Sequence, residues 1–271
     1  LEGVKLNFKQ MMSRKDAVVD NTTQGIEFLM TKNKITVFRG TASFESETSL
    51  SVSSKDGLES VSFKKAIIAT GSEVTPLPGI DCDGKGIISS NEALYLTKQP
   101  KSMIVVGGGV IGVELGSVYA RLGTKVTVVE FCPSLLPTMD KDLGPALQRS
   151  MKKLDVDFHL KSRVQKASYS KDKKTVKLDV LGSDDKTFKL EAEKVLVAIG
   201  RRPYTDQLGL DKVGIKTNEK GQIPVNASFQ SVAPNIYAIG DVVRGAMLAH
   251  KAEEEGVVVA EMIAGQKPHI D

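Results

Sequence analysis

Ser102-Met103-Ile104-Val105-Val106-Gly107-Gly108-Gly109-Val110-Ile111-Gly112-Val113-Glu114 is the stretch on which the fold turns. Met103 to Val106 form a short, wholly apolar run of the buried-strand type, and the run stops at a glycine. Ile111, Leu115, Val118, Tyr119 and Leu122 then fall at helical spacing and predict a helix with these side chains on its inner face. Lys125 to Glu130 is a second strand, rich in β-branched residues, and Glu130 ends it 18 residues after Gly112. Gly107, Gly109 and Gly112 therefore satisfy G-x-G-x-x-G in its full setting of strand, turn, helix, strand and terminal acid, which is a dinucleotide-binding pattern. Gly107 permits the tight turn, Gly109 lets the backbone approach a pyrophosphate, and Gly112 lets the helix pack on the strand. The helix start, Val110 to Val113, offers free N–H groups and a positive dipole end to phosphates. Glu130 can accept from both ribose hydroxyls of an adenosine and repels a 2′-phosphate, which favours NAD(H) over NADP(H). Phe131, Cys132 and Pro133 supply no arginine to reverse that choice.

Outward from this core the pattern repeats. Towards the C-terminus come a helix over 140–154 and β-like runs at Asp157–Val164, Val176–Val180 and Phe188–Leu190. They lead to Val195–Ile199, closed by Gly200. Towards the N-terminus a helix is predicted over 14–32, with β-like runs at Ile35–Phe38, Leu50–Ser53 and Val61–Phe63. The apolar strand Ala66–Ala69 follows, closed by Thr70-Gly71-Ser72. Pro76, Pro78 and Gly79 mark a loop, 90–97 a short helix, and Pro100 its end. Twice, then, three short strands precede an apolar strand that ends at a glycine. This echo predicts two related α/β domains, each with a β-meander over a parallel sheet. Beyond Gly221 a loop leads to Asn235-Ile236-Tyr237-Ala238-Ile239-Gly240-Asp241, and Met247 to Ala264 read as a helix stopped by Gly265 and Pro268.

Composition narrows the function classes. The 271 residues are 41% hydrophobic and 26% charged, proportions of a globular chain rather than of a disordered or fibrous one. The uncharged stretch Met103–Val113 is short and holds four glycines, so no membrane span is predicted. A net charge of +4 with 5% aromatics, and a basic run no denser than Lys171, Lys173 and Lys174, gives no nucleic-acid footprint. The two cysteines, Cys82 and Cys132, form neither a disulfide framework nor a zinc pattern, and His159, His250 and His269 have no ligand spacing; no metal site is expected. The chain begins at Leu1 without a methionine, signal or transit peptide, and reads as processed or as part of something longer.

Four further features carry chemistry. Glu114, read as lying in the first turn of the glycine-motif helix, either contacts the nicotinamide side of a ligand or complements the helix dipole; both readings stay open. Gly240-Asp241 puts a carboxylate at a strand's C-terminal edge, where it can bind a polyol hydroxyl. Met247-Leu248-Ala249-His250 opens the last helix and can turn N–H groups towards an anionic ring edge. Gly200 permits close approach of a nicotinamide or ribose, while Arg201 and Arg202 read as solvated loop residues.

Taken in order, the stretches Ala69-Thr70-Gly71-Ser72, the glycine motif with Glu130, Ala198–Pro203, Tyr237–Asp241 and Met247–Glu253 resemble the pyridine nucleotide–disulfide oxidoreductases, and among them the dihydrolipoamide dehydrogenase branch. The resemblance runs from about Val4 to Asp271. It implies that Thr70, Gly71 and Ser72 touch FAD at a crossover, that Gly40 lies near its adenine, that Asp241 holds the ribityl chain, and that Met247, Leu248, Ala249 and His250 lie beneath the flavin ring. It places Gly107, Gly108, Gly109, Val110, Ile111, Gly112, Val113, Glu114 and Glu130 at NAD, with Val164 an adenine contact and Gly200 a nicotinamide-side contact. No catalytic residue is assigned within the chain. The family's C-x-x-x-x-C pair, its FAD glycine loop and its dimerisation domain with a His–Glu pair have no counterpart in these 271 residues. The resemblance is therefore to the middle of such an enzyme.

The fold class so implied is α/β, with two Rossmann-like FAD/NAD(P)-binding domains and β-meanders of the three-layer ββα type. Residues 1–98 and 225–271 are expected to form the FAD-binding part and 99–224 the NAD-binding part. The implied activity of the parent is NAD⁺-dependent reoxidation of protein-bound dihydrolipoyl groups through FAD. Its implied partners are the dihydrolipoyl-carrying proteins of 2-oxoacid dehydrogenase complexes and the glycine cleavage system, with a homodimer for the full enzyme. The implied location is the mitochondrial matrix, or the cytoplasm in a bacterium. A non-catalytic NAD(H)-binding module and an NADH-dependent reductase with another acceptor are the alternatives.

Overall fold

A computed structural model describes residues 5–268. The elements begin with α1 (Phe8–Lys32), β1 (Thr41–Ser46), β2 (Ser49–Ser54), β3 (Gly57–Ser62), β4 (Ala66–Ile68), β5 (Ser72–Val74), β6 (Ile87–Ser89) and α2 (Ser90–Ala93). Then come β7 (Ser102–Val106), α3 (Val110–Arg121), β8 (Lys125–Val129), α4 (Leu143–Lys152), β9 (Asp157–His159), β10 (Arg163–Tyr169), β11 (Val176–Leu181) and β12 (Thr187–Ala192). β13 (Lys194–Val197), β14 (Arg201–Pro203), β15 (Ile236–Ala238) and α5 (Ala249–Ile263) complete the series. The chain forms two compact units. The first takes residues up to Ile26 together with Val74–Gly200, and the second Glu27–Glu73 together with residues from Arg201 onward.

The first unit is built on a parallel sheet of order β6-β13-β7-β8-β9. Side chains of a strand alternate between faces, and here both faces are covered. Met103 and Val105 of β7, Val126 and Val128 of β8 and Leu196 of β13 pack with Val113 and Tyr119 of α3 and Met151 of α4. Their neighbours Ile104, Val106, Val129, Val195 and Val197 pack against Val176, Leu178 and Val180 of the antiparallel meander β10-β11-β12. Helices, sheet and meander thus make three layers, and continuously apolar strands are what a doubly covered parallel sheet requires. Each such side chain stabilises the layer by about 1.5–3 kcal/mol when fully buried. Tyr119 is buried with its hydroxyl donating to the Ala93 carbonyl at 2.5 Å, and burial pushes that phenol up to about 12.

The second unit repeats the scheme in smaller form. β4 and β15 pair in parallel, and β1-β2-β3 is an antiparallel meander. Ile236 and Ala238 of β15 face a cluster with Ile68 and the meander residue Phe44, while Tyr237 and Ile239 face Val258 and Val259 of α5. In both meanders the register of the first strand shifts once, between Phe44 and Ser46 and between Val164 and Lys166. The echo in the sequence is therefore matched in its plan, a three-stranded meander leading into a parallel strand in each unit.

The compact units divide the chain at other residues than the expected domains. β6 pairs with β13 through Ile87 and Val195, which draws the segment after Val74 into the first unit. Leu208, Val213, Ile215 and Ile223 are buried in the core of the second unit, which draws the segment after Arg201 into that one.

Several element readings change. Ile35–Phe38 is no strand; Ile35, Val37 and Phe38 are exposed, and the strand of that meander is the Ser/Thr-rich Thr41–Ser46. α1 starts at Phe8 rather than near residue 14, because Asn7 Oδ1 accepts from the Gln10 N–H at 3.0 Å and caps the first turn. The inner face of α3 is Gly112, Val113, Gly116 and Tyr119; Val118 is exposed, since the helix comes close to the sheet on its glycines rather than on its larger residues. Asp157–Val164 splits into β9 and β10, because the Lys161 and Ser162 N–H groups between them donate to the Cys132 and Glu130 carbonyls at 3.1 and 2.9 Å. The last helix starts at Ala249, two residues later than expected.

Candidate functional site

In the first unit the C-terminal ends of β13, β7 and β8 lie side by side, and they carry Gly200, the glycine turn and Glu130. β7 leads through α3 to β8 on one side while β13 lies on its other side. This reversal of strand order is where α/β sheets open a ligand crevice. Each glycine of the turn has its own reason. Gly107 has φ +111°, and a methyl group there would overlap the Ala198 carbonyl on β13. At Gly112 a methyl group would overlap the Gly107 carbonyl, so α3 could not reach the turn. At Gly108 a Cβ would stand 2.7 Å from Leu135 Cδ2 and 3.0 Å from Glu130 Oε2, so these side chains would have to shift. Gly109 differs, because a Cβ there would meet nothing within 4 Å. The protein does not need that glycine for its own packing, and the open space lies at the N-cap of α3, which no side chain caps. A pyrophosphate fits a site of this kind, with free N–H groups at a helix start and room for close approach.

Glu130 is the one buried carboxylate of this turn, 6% exposed. Oε2 accepts the Gly108 N–H, and Oε1 accepts the Cys132 N–H at 2.6 Å. Both oxygens keep a second lone pair, so the group is fixed in place and can still accept from a ligand. Cys132 stands beside it, and burial and then the Glu130 carboxylate push its thiol up. Burial likewise raises the Cys82 thiol, with smaller contributions from Glu92, Asp83 and Asp81. Neither cysteine sits in surroundings that favour a reactive thiolate.

The second unit holds a cavity of about 440 Å³ lined by Gly71, Gly240, Asp241, Met247, Ala249 and Glu253, among others. Gly71 and Gly240 have φ +71° and +72°, and each starts a sharp turn after an apolar strand. The Gly240 peptide is gripped from α5: its N–H donates to Glu255 Oε2 at 2.6 Å, and its carbonyl accepts from Lys251 Nζ at 3.2 Å. Lys251 and Glu255 pair at 2.7 Å, and Glu255 is buried. Asp241 Oδ2 accepts the Ser72 hydroxyl at 2.5 Å. Thr70 Oγ1 donates to the Tyr204 carbonyl at 2.6 Å, and the Tyr204 N–H returns to the Gly71 carbonyl at 2.9 Å. No side chain caps α5 at Leu248. A carboxylate with accepting capacity and an uncapped helix start on one cavity suit a ligand with both a polyol and an anionic portion.

Gly71, Asp241, Met247 and Ala249 thus meet on one cavity, with Ser72 bonded to Asp241; Leu248 is largely exposed, and His250 is exposed on α5. Gly40 lines a different cavity, with Arg39, Ser53 and Lys55, and a Cβ there would overlap the β2 backbone at Ser53. Val164 has its side chain in the core of the first unit, two residues beyond Ser162. Gly200 has φ +132° and open surroundings, and a Cβ there would stand 3.8 Å from Thr75 Oγ1, in ordinary contact. Glu114 falls in the second turn of α3, not the first, and is exposed. Arg201 is no solvated loop residue: it is half-buried, and Nε donates to Ser72 Oγ at 2.7 Å. Arg202 pairs with Glu73 at 2.5 Å and Asp206 at 2.9 Å. Sequence reasoning also missed Lys251 and Glu255. Their only local signal is the i,i+4 spacing of a cation and an acid. His269 lies outside the described residues.

A three-layer α/β unit with a glycine turn at its switch point defines a nucleotide-binding protein of the Rossmann type. The pyridine nucleotide-disulphide oxidoreductase pattern matches residues 2–256, and the chain belongs to that family. Members of the family use FAD and NAD(H). The chain is similar to a leghemoglobin reductase of Vigna unguiculata, 46% identical over all of this chain and 52% of that protein. It is also 44% identical to dihydrolipoyl dehydrogenase 1, mitochondrial, of Arabidopsis thaliana, over all of this chain and 54% of that protein. An HOCl-induced flavoprotein disulfide reductase of Escherichia coli has the same fold, with a TM-score of 0.86 at 27% identity over 97% of this chain and 59% of that one. The chain spans about half the length of the curated relatives it matches. No helix among the described residues is long and apolar enough to cross a membrane.

Proposed function

We propose that this chain carries the NAD(H) site and the rear of the FAD site of a flavoprotein that reoxidises protein-bound dihydrolipoyl groups with NAD⁺. The observation that carries the reading is the glycine turn with its pinned Glu130, inside a family match over residues 2–256. Gly107 to Val113 would hold the pyrophosphate, Glu130 the adenosine ribose, Val164 the adenine through its backbone, and Gly200 and Glu114 the nicotinamide side. Asp241 would hold the ribityl chain of FAD, with Thr70, Gly71 and Ser72 at the crossover, Met247 to His250 beneath the ring, and Gly40 near the adenine. Residues 1–98 with 225–271 and residues 99–224 remain the proposed FAD and NAD portions. FAD supplies the hydride and electron chemistry when bound; the chain supplies position and electrostatics. Dithiol exchange belongs to a cysteine pair outside these residues.

The proposed partners are the dihydrolipoyl-carrying proteins of 2-oxoacid dehydrogenase complexes and the glycine cleavage system, with a homodimer for the whole protein. Several relatives are named mitochondrial dihydrolipoyl dehydrogenases, which supports a mitochondrial location. A reductase with another acceptor is the second reading, and the similarity to a protein named leghemoglobin reductase favours it. Assays of the whole protein with dihydrolipoamide, glutathione and a quinone separate the two. Turnover confined to dihydrolipoamide supports the first reading, and preferential turnover of another substrate contradicts it. An intact mass of 29.2 kDa would leave nucleotide binding as the activity to measure, and a larger mass would bring dithiol exchange within reach.

A further inference from the structure

We infer that Arg201 is a positioning residue for the Asp241 carboxylate, acting through the Ser72 hydroxyl, and that the ligand served is the polyol chain of a flavin nucleotide. The inference rests on the flavin reading of the second unit.

The direction of the hydrogen bonds follows from the chemistry of the three groups. A guanidinium only donates, an ionised carboxylate only accepts, and a hydroxyl has one proton and two lone pairs. Arg201 Nε donates to Ser72 Oγ at 2.7 Å, and its NH2 group donates to the Ser72 carbonyl at 2.5 Å. The fork therefore holds both the side chain and the main chain of Ser72. With a lone pair of Oγ occupied by a group that cannot accept, the hydroxyl proton turns to the remaining strong acceptor, Asp241 Oδ2, at 2.5 Å. The three residues are brought together from segments 129 and 169 positions apart, so the relay exists only in the folded unit.

The consequence lies in what the relay leaves free. A guanidinium paired directly with a carboxylate tends to take both oxygens in a bidentate grip. No direct Arg201–Asp241 pair forms; the hydroxyl between them uses Oδ2 alone, and among the described residues no donor reaches Oδ1. Asp241 also lines the 440 Å³ cavity. Its carboxylate is thus oriented by the cation and still able to accept a ligand hydroxyl. A purely structural tie between β5, β14 and the Gly240 turn would not need one carboxylate oxygen left open.

The test measures FAD affinity, by quenching of flavin fluorescence, for the whole protein that contains this chain and for its Ser72→Ala, Ser72→Thr, Arg201→Met, Ser72→Ala/Arg201→Met and Asp241→Asn variants. Far-UV circular dichroism and thermal unfolding of each variant serve as the control for folding of the second unit, and NADH affinity reports on the first. Ser72→Ala and Arg201→Met are each expected to weaken FAD binding about tenfold, the scale of one hydrogen bond to a charged group. The double variant should be no weaker than Ser72→Ala, Ser72→Thr should restore most of the affinity, and NADH binding should hold throughout. If Asp241→Asn weakens FAD while Arg201→Met and Ser72→Ala bind as the unaltered protein does, the positioning role is overturned and the flavin site stands. Additive losses in the double variant overturn the route through Ser72. If Asp241→Asn binds FAD normally, or the unaltered whole protein binds none, the flavin reading itself fails and the inference goes with it. Should Arg201→Met not fold, the contrast between Ser72→Ala and Ser72→Thr decides: equal loss in both contradicts the relay.

Discussion

In the first unit the turn after the apolar strand is held by backbone against backbone. Gly107 lies against the Ala198 carbonyl and Gly112 against the Gly107 carbonyl, and only Glu130 adds a side chain. In the second unit the corresponding turn, Gly240-Asp241, is held by side chains: Glu255 and Lys251 on the Gly240 peptide, Ser72 and Arg201 on Asp241. Both turns follow a strand within a parallel pair and both present a carboxylate: Asp241 closes its own turn, while Glu130 reaches the glycine turn from the end of the neighbouring strand β8. The difference shows two ways to aim an acid from a strand end. One uses local sterics that tolerate no side chain; the other uses long-range polar pairs that tolerate no loss of a partner.

The largest expected effect lies on the steric side. Gly107→Ala combines a left-handed φ with overlap on the Ala198 carbonyl, and should destabilise the first unit by about 4 kcal/mol. NADH binding should be lost while FAD binding by the second unit persists, which urea denaturation with parallel ligand titrations would show. The reverse dissociation comes from Glu255→Ala, which strands Lys251 and removes the acceptor of the Gly240 N–H. Breaking a buried pair costs about 3 kcal/mol, reduced where Lys251 can reach water, so FAD affinity and the stability of the second unit should fall while NADH affinity holds. Loss of both ligands in either variant would break the comparison.

Glu130→Ala tests the one side chain of the first turn. NADH binding should weaken by about 1–3 kcal/mol, the range for a hydrogen bond to a charged group; unchanged affinity in calorimetry removes Glu130 from the ribose site. The smallest effect is a pH dependence. Burial pushes Asp83 up, but the Tyr169 hydroxyl and the Lys85, Ile87 and Gly86 N–H groups outweigh it and hold the carboxyl below its ordinary value. A carboxylate held low in the folded state stabilises it at pH values above the unfolded pKa, and that contribution disappears as pH falls through the folded value. Asp83 is exposed, so Asp83→Asn should cost below about 1 kcal/mol at pH 7, and the difference should fade below about pH 4. A difference that grows on acidification would contradict the sign.

What the sequence discloses follows the same division. The glycine turn of the first unit is readable because its determinants lie within one strand–helix–strand run and because glycine signals steric demand directly. The two meanders are readable as an echo for the same reason, although Thr41–Ser46 hides as a strand behind small polar residues while the apolar Ile35–Phe38 imitates one. The inner face of α3 is misread because periodicity counts bulk, and this helix is placed by Gly112 and Gly116. The seat of Asp241 is illegible, since no local pattern announces that Arg201, Ser72 and Asp241 will meet, and an arginine after a strand ordinarily reads as solvent-facing. The place of β6 is likewise illegible, since it is three residues long and its pairing with β13 depends on a strand more than a hundred residues later.

The most direct test of the central claim is a fluorescence titration of the 271-residue chain with NADH and, separately, NADPH at one ionic strength. The buried, doubly hydrogen-bonded Glu130 predicts NADH binding at least tenfold tighter, with the preference abolished in Glu130→Ala. Equal affinity for the two, or a preference for NADPH, would contradict the assignment of the glycine turn and its acid as an NAD(H) site.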